Sequence, residues 1–300
     1  MDLGFGGARH GASSLNPASE DRCLAGLSVR FQRSGRGPAM VLIHGLLGYS
    51  FSWRHVVEGF AAGREVYALD MPGSGFSECS PALDPHLPAA AERLLEFLDL
   101  GGIRSCDLVG SSYGGTTALF LAAKHPERIR TLTLVSPANP WSRIGRKRLA
   151  LLRLPVIART FPAIARKVRP LHWLAIRRMY GDPRRLGGET LRGYSLPLMR
   201  NGVLEHAVAI TQGWYADMAE LESLLPSISD IPVLLVWGSK DRVVDLASAG
   251  ILTSRLRNSR LVIMEGAGHL PYEECPEEFV SLVSKFLEEY PAPGARREVT

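Results

Sequence analysis

Gly110, Ser112 and Gly114 make a Gly-x-Ser-x-Gly pattern inside the run Leu108-Val109-Gly110-Ser111-Ser112-Tyr113-Gly114-Gly115. A serine hydroxyl is a weak nucleophile at neutral pH. It attacks a carbonyl only when it is exposed, has a base beside it and finds donors for the oxyanion it creates. Apolar residues run into the pattern as a strand would, and Thr116 to Lys124 run out of it as a helix. Small residues two before and two after the serine let backbones pass where a Cβ would clash. The helix start would present N–H groups where negative charge is favoured. The pentapeptide by itself also describes an ordinary Gly-rich strand-to-helix loop, so its meaning rests on its context.

The context is a repeated alternation of strand and helix. Leu27 to Gln32 alternates apolar and polar, as a half-buried strand does. Met40–Ile43, Val66–Leu69, Val233–Trp237 and Leu261–Met264 are short apolar runs of strand length, as in a parallel sheet buried on both faces; Cys106–Val109 is the strand feeding the serine and Ile129–Val135 the next strand. Helix-like spacing covers Ser50–Phe60, Leu87–Leu98, Leu246–Leu256 and Pro276–Tyr290. The pattern predicts an α/β fold with a mostly parallel central sheet and helices on both faces. In such sheets active groups gather at the carboxyl ends of the strands, and the Gly-rich segments His44–Gly48, Asp70–Gly75, Gly110–Gly115 and Gly266–His269 fall at such ends. The alternation stops between Ala138 and Leu225, where only helix-like, Pro-punctuated stretches occur. This predicts a disordered lead-in over 1–22, a core over 23–137 and 226–290, an inserted helical lid over 138–225 and a frayed tail over 291–300.

The chain resembles the α/β-hydrolase fold superfamily in its lid-bearing, serine esterase/lipase-like branch. The resemblance rests on His44-Gly45-Leu46-Leu47-Gly48, Asp70-Met71-Pro72-Gly73-Ser74-Gly75-Phe76-Ser77 and Gly110-Ser111-Ser112-Tyr113-Gly114-Gly115. Pro126-Glu127-Arg128-Ile129, Trp237-Gly238 with Asp241-Arg242, and Gly266-Ala267-Gly268-His269 complete it, in the family's order of nucleophile, acid and histidine. It implies Ser112 as nucleophile, His269 as general base and then acid, and Asp241 as the group that orients the imidazole. Backbone N–H groups of Leu46 and Tyr113 would form the oxyanion hole, in a nucleophile-elbow arrangement. No metal or cofactor is implied.

Other residues compete for these roles. His269 is preferred among eight histidines because it follows Gly-Ala-Gly after the final strand. His44 precedes the oxyanion loop and suits a structural hydrogen bond. Asp241 lies directly after its strand, whereas Asp245 suits an N-cap for the helix from Leu246. Asp70, followed by Pro-Gly-x-Gly, reads as a turn former that bonds its own backbone, and Ser111 as packing. The loop Ser136-Pro137-Ala138-Asn139 offers no carboxylate. Serine at 112 disfavours the branches that form an ester on aspartate.

Composition bounds the rest. The chain has 300 residues, 46% hydrophobic and 22% charged, with net charge +5. That suits a globular enzyme with one core. The four cysteines are scattered without a Cys-x-x-Cys pair, which favours reduced thiols in a cytoplasmic protein. Yet fifteen Lys and Arg stand against two acids, Asp182 and Glu189, between Trp141 and Arg200. Within that stretch Phe161, Ile164, Ala165 and Val168 follow the spacing of an amphipathic helix. The lid either packs on the core with a solvated basic face or docks on an anionic membrane surface or an acidic carrier protein, which would make the protein peripheral to a membrane. Nucleic acid is not expected, since no binding motif accompanies the charge. Trp141, Trp173 and Trp214 are candidates to line an apolar acyl pocket.

The expected activity is cofactor-independent cleavage of a carboxylic ester with an apolar part, through an acyl-enzyme on Ser112. C–C bond hydrolysis and acyl transfer use the same three residues and are the first alternatives. A non-catalytic docking protein is the other.

Overall fold

The computed structural model describes residues 19–24, 26–228 and 230–292. Its strands are β1 (Ser19–Leu24), β2 (Leu27–Ser34), β3 (Ala39–Ile43), β4 (Glu65–Leu69), β5 (Cys106–Ser111), β6 (Ile129–Val135), β7 (Val233–Gly238) and β8 (Ser259–Met264). They form one sheet in the order β1-β2-β4-β3-β5-β6-β7-β8. The β1–β2 and β2–β4 pairs are antiparallel and every other pair is parallel. β5 and β7 are buried at all six positions; β7 reads as an unbroken apolar run, whereas β5 carries Asp107, whose buried carboxylate pairs with Arg64 and Arg130.

Helices α1 (Val57–Ala61), α2 (Leu87–Leu100), α3 (Tyr113–Lys124), α9 (Ala247–Arg255), α10 (Pro271–Glu274) and α11 (Pro276–Glu289) belong to the sheet layers. Leu94 and Phe97 of α2, Leu119 and Leu121 of α3 and Leu252 of α9 pack into the core on one face of the sheet. Phe60 of α1 and Phe279, Val283 and Phe286 of α11 pack into the core on the other. Between β6 and β7 the chain forms α4 (Arg146–Leu152), α5 (Pro155–Lys167), α6 (Arg169–Met179), α7 (Gly188–Leu198) and α8 (Val203–Leu224), with no strand among the described residues. The far end of α8 is tied to the core: Asp217 accepts from the Leu87 amide at 3.0 Å and lies 2.8 Å from His86 Nδ1. No helix among the described residues is long and apolar enough to cross a membrane.

Three expectations change. The stretch read as a lead-in over 1–22 ends in β1, a polar edge strand; residues 1–18 and 293–300 lie outside the described residues. Arg22 of β1 lies over the rings of Phe31 and Phe97, so its stem covers apolar surface. The helix read over Ser50–Phe60 is a 3₁₀ turn, Ser50–Trp53, followed by the short α1. All four residues of that turn are buried, and the Ser50 amide donates to Asp70 Oδ1 at 2.8 Å, which pins the segment and stops one continuous amphipathic helix. The third concerns α5: Phe161 and Ala165 turn inward, but Ile164 is exposed and Val168 falls beyond the last turn, so the expected stripe is split. All four cysteines are free thiols.

Candidate active site

Ser112 stands on the turn between β5 and α3 with φ 52° and ψ −118°, a conformation side-chain-bearing residues rarely adopt. Such a residue costs about 1–3 kcal/mol and persists only where its surroundings over-determine it. Here they do. The Ser112 amide donates to Val135 O at 2.9 Å, and its carbonyl accepts from the amides of Thr116 and Ala138. A Cβ built on Gly110 would lie 2.5 Å from Gly114 O and 2.7 Å from the Gly115 Cα, so the strand and the helix start touch through bare backbone. Gly110→Ala is therefore expected to displace the turn, destabilising the fold by about 1–3 kcal/mol and lowering turnover by on the order of 10²-fold. Thermal unfolding and steady-state rates on one sample check both.

Asp241 and His269 come from two neighbouring loops. Asp241 follows β7 and His269 follows β8, and the loops are joined where the Lys240 amide donates to Ala267 O at 2.9 Å. Gly238 and Gly268 lie so close that a Cβ on Gly238 would collide with the carbonyls of Ala267 and Gly268. Asp241 Oδ2 is 2.8 Å from His269 Nδ1, while Oδ1 accepts from the amides of Val243 at 2.7 Å and Val244 at 3.0 Å. A carboxylate at Nδ1 holds the proton on that nitrogen and leaves Nε2 as the basic one. Burial acts to raise the Asp241 carboxyl, but the His269 charge and hydrogen bond and the two backbone donors outweigh it and hold the carboxyl below its ordinary value.

Ser112 and His269 both line one cavity of about 620 Å³, with Leu46 and Tyr113 at its wall. No hydrogen bond joins Ser112 Oγ to the imidazole among the described residues; such contacts often tighten only with substrate present. Tyr113 is the first residue of α3, so its amide has no acceptor within the helix. The Leu46 loop runs beside the serine: a Cβ on Gly45 would stand 3.2 Å from the Ser112 Cβ. His44 holds this loop, accepting the Met71 amide on Nε2 at 3.0 Å with Nδ1 2.8 Å from Gly45 O. Burial lowers its pKa, which keeps the ring neutral for that paired donor and acceptor role. Asp70 binds the Ser50 and Phe76 amides, so its partners reach beyond its own turn. Asp245 accepts the Ala247 amide at 3.0 Å at the start of α9.

Of the three tryptophans proposed for the pocket, only Trp214 lines it. Trp141 packs on the core beneath Arg255, and Trp173 is on the outer side of α6 under Arg177, at 5.7 and 4.7 Å from the respective guanidinium carbons. One step along the helix, a rotation of about 100°, separates inward from outward: His172, next to Trp173, faces the cavity. The wall is instead made by smaller residues, among them Leu149, Phe161, Ile176 and Met179.

Sequence reading missed the buried carboxylates Glu273 and Glu274. Glu274 accepts the amides of Gly181, Asp182 and Gly268, and the His269 amide donates to Met179 O at 2.6 Å. The end of α6 is thereby fastened to the histidine loop. Glu273 takes both guanidinium branches of Arg54, at 2.9 and 3.0 Å, and the hydroxyls of Tyr180 and Tyr194. Burial first, then the Glu273 charge, pushes both phenols well above their ordinary pKa, so both remain donors. Glu273→Ala would strand Arg54 in a mostly buried site and is expected to cost about 3–5 kcal/mol in denaturant unfolding.

Residues 38–276 match the model of the α/β hydrolase fold family. The chain belongs to that family. It is 30% identical to a pimeloyl-[acyl-carrier protein] methyl ester esterase of Aeromonas hydrophila, over 87% of this chain and 100% of that protein. It is 28% identical to a 2-hydroxymuconate semialdehyde hydrolase of a Pseudomonas species, over 88% and 92% of the two chains. Its fold superposes on the crystal structure of Cfl2 from Burkholderia cenocepacia with a TM-score of 0.80 at 22% identity, covering 89% of this chain and 95% of that one.

Proposed function

We propose that this protein is a cofactor-independent serine hydrolase that cleaves a carboxylic ester with a fairly apolar part. The observation that carries the reading is the Asp241–His269 pair opening onto the same apolar-walled cavity as Ser112 on its strained turn. His269 Nε2 takes the hydroxyl proton as Ser112 Oγ attacks the ester carbonyl. The amides of Leu46 and Tyr113 receive the oxyanion. His269 then returns the proton to the leaving alcohol, and the alkoxy C–O bond breaks to leave an acyl-enzyme. Water, deprotonated by His269, releases the acid and restores the hydroxyl.

The helices α4–α8 act as a lid that encloses the apolar part. A cavity of about 620 Å³ is of the size that holds small organic ligands. The Aeromonas hydrophila relative is named for a methyl ester, which supports the bond type; the Pseudomonas relative is named for a semialdehyde. The test is turnover of p-nitrophenyl esters from acetate to palmitate. The reading expects activity with an optimum beyond acetate, set by the cavity. Silence across the series, with Ser112 still labelled by a phosphonate, would transfer the assignment to C–C cleavage or acyl transfer.

A further inference from the structure

The helices α4, α5 and α6 are apolar on two sides. Inward, Leu149, Phe161, Ala165 and Ile176 line the cavity. Outward, Leu151, Leu154, Val156, Ile164, Trp173 and Leu174 are all exposed, Val156 by 74%. On α5 the exposed positions Val156, Thr160, Ala163, Ile164 and Lys167 fall at i, i+4, i+7, i+8 and i+11, a single helical face. Seven of the thirteen large apolar side chains exposed among the described residues lie between 151 and 174. A helix apolar on both sides is normally buried on both.

The charge on this face is of one sign. No Asp or Glu occurs between Trp141 and Gly181. Lys147, Arg153, Arg159, Lys167 and Arg177 are exposed there. Among the described residues no ion pair joins Lys147, Arg159 or Lys167 to an acid. Acids from neighbouring elements reach only the margin, where Glu205 of α8 pairs with Arg166. Arg153 and Arg177 lie over Tyr215 and Trp173, cations held against aromatic rings.

We infer that the outward face of α4–α6 docks on an anionic phospholipid bilayer. Cations among exposed aliphatic and aromatic side chains suit the boundary between headgroups and acyl chains: phosphates meet the Lys and Arg, and the apolar side chains enter below them. A surface that offered acidic groups alone would use the charges and leave Val156, Ile164 and Leu174 in water. The inference stands without the ester-hydrolase reading, since it uses none of the reacting residues.

The test uses the full chain carrying Ser112→Ala, so that no lipid is turned over. It is mixed with phosphatidylcholine vesicles made with or without phosphatidylglycerol, and the sedimenting fraction is measured in low and high salt. Sedimentation with the anionic vesicles, weakening with salt, is expected. The pairs Val156→Asp with Ile164→Asp, and Arg159→Glu with Lys167→Glu, should each weaken it by about tenfold or more. An unchanged thermal midpoint shows that these surface variants fold. Three results would overturn the inference: no sedimentation with anionic vesicles, equal sedimentation with neutral ones, or loss in the charge pair with none in the apolar pair. The last would make the face a dock for an acidic macromolecule.

Discussion

Ser112→Ala is expected to lower kcat for ester hydrolysis by on the order of 10³-fold or more, with the cavity and the fold intact. The expectation follows from where the hydroxyl stands. Ser112 lines the cavity at the start of α3, and the turn that carries it is held by hydrogen bonds from its backbone rather than its side chain. Removing Oγ therefore removes the attacking atom and no structural bond. Residual turnover would come from the oxyanion donors and water. A midpoint of thermal unfolding within about 1 °C of the wild type would separate chemistry from unfolding. Turnover retained within about tenfold would end the assignment of Ser112 as nucleophile.

Asp241→Asn is the second large effect, and its cause is directional. The Oδ1 position faces two backbone donors, the amides of Val243 and Val244. An asparagine at 241 keeps its carbonyl oxygen there and so turns its NH₂ toward His269 Nδ1. The ring must then accept on Nδ1 and carry its proton on Nε2, where it can no longer take one from Ser112. A loss of about 10²–10⁴-fold in kcat is expected, with little change in KM. The carboxyl also contributes to stability. Its folded pKa is depressed, so this contribution is present above the ordinary carboxylate value near 3.9 and is lost as pH falls through the lower folded value. The acid limb of unfolding should lose that component in the Asn variant. Equal acid limbs for the two proteins would contradict it.

Much of the sheet was legible because β3, β4 and β7 contain short apolar runs and the loops after β3, β4, β5 and β8 are Gly-rich. Ser112, Asp241 and His269 were legible as residues at readable strand ends, and their roles as what the family resemblance implies. β1 was not, since Ser-Glu-Asp-Arg-Cys-Leu carries the polar marks of an edge strand. Trp214 of the helical insertion does line the cavity, but Trp173 misled because helix rotation, which decides between cavity and solvent, is set by packing that leaves no mark on a single aromatic residue. Trp173 faces out while His172 faces in. The Arg54–Glu273 pair joins positions 219 residues apart, so no local period announces it. Glu273-Glu274 after Pro271 reads locally as an acidic first turn of a helix. Its burial depends on α6 and α7 arriving to supply Tyr180, Tyr194 and the Gly181 amide.

The central claim is that Ser112 is a nucleophile activated by the Asp241–His269 pair. Labelling with a fluorophosphonate, followed by mass spectrometry of the digested protein, tests it most directly because it needs no knowledge of the substrate. The account predicts a single adduct, on Ser112, absent in Ser112→Ala and slowed in Asp241→Asn. A folded wild-type protein that takes no adduct, or takes it on another residue, would contradict it.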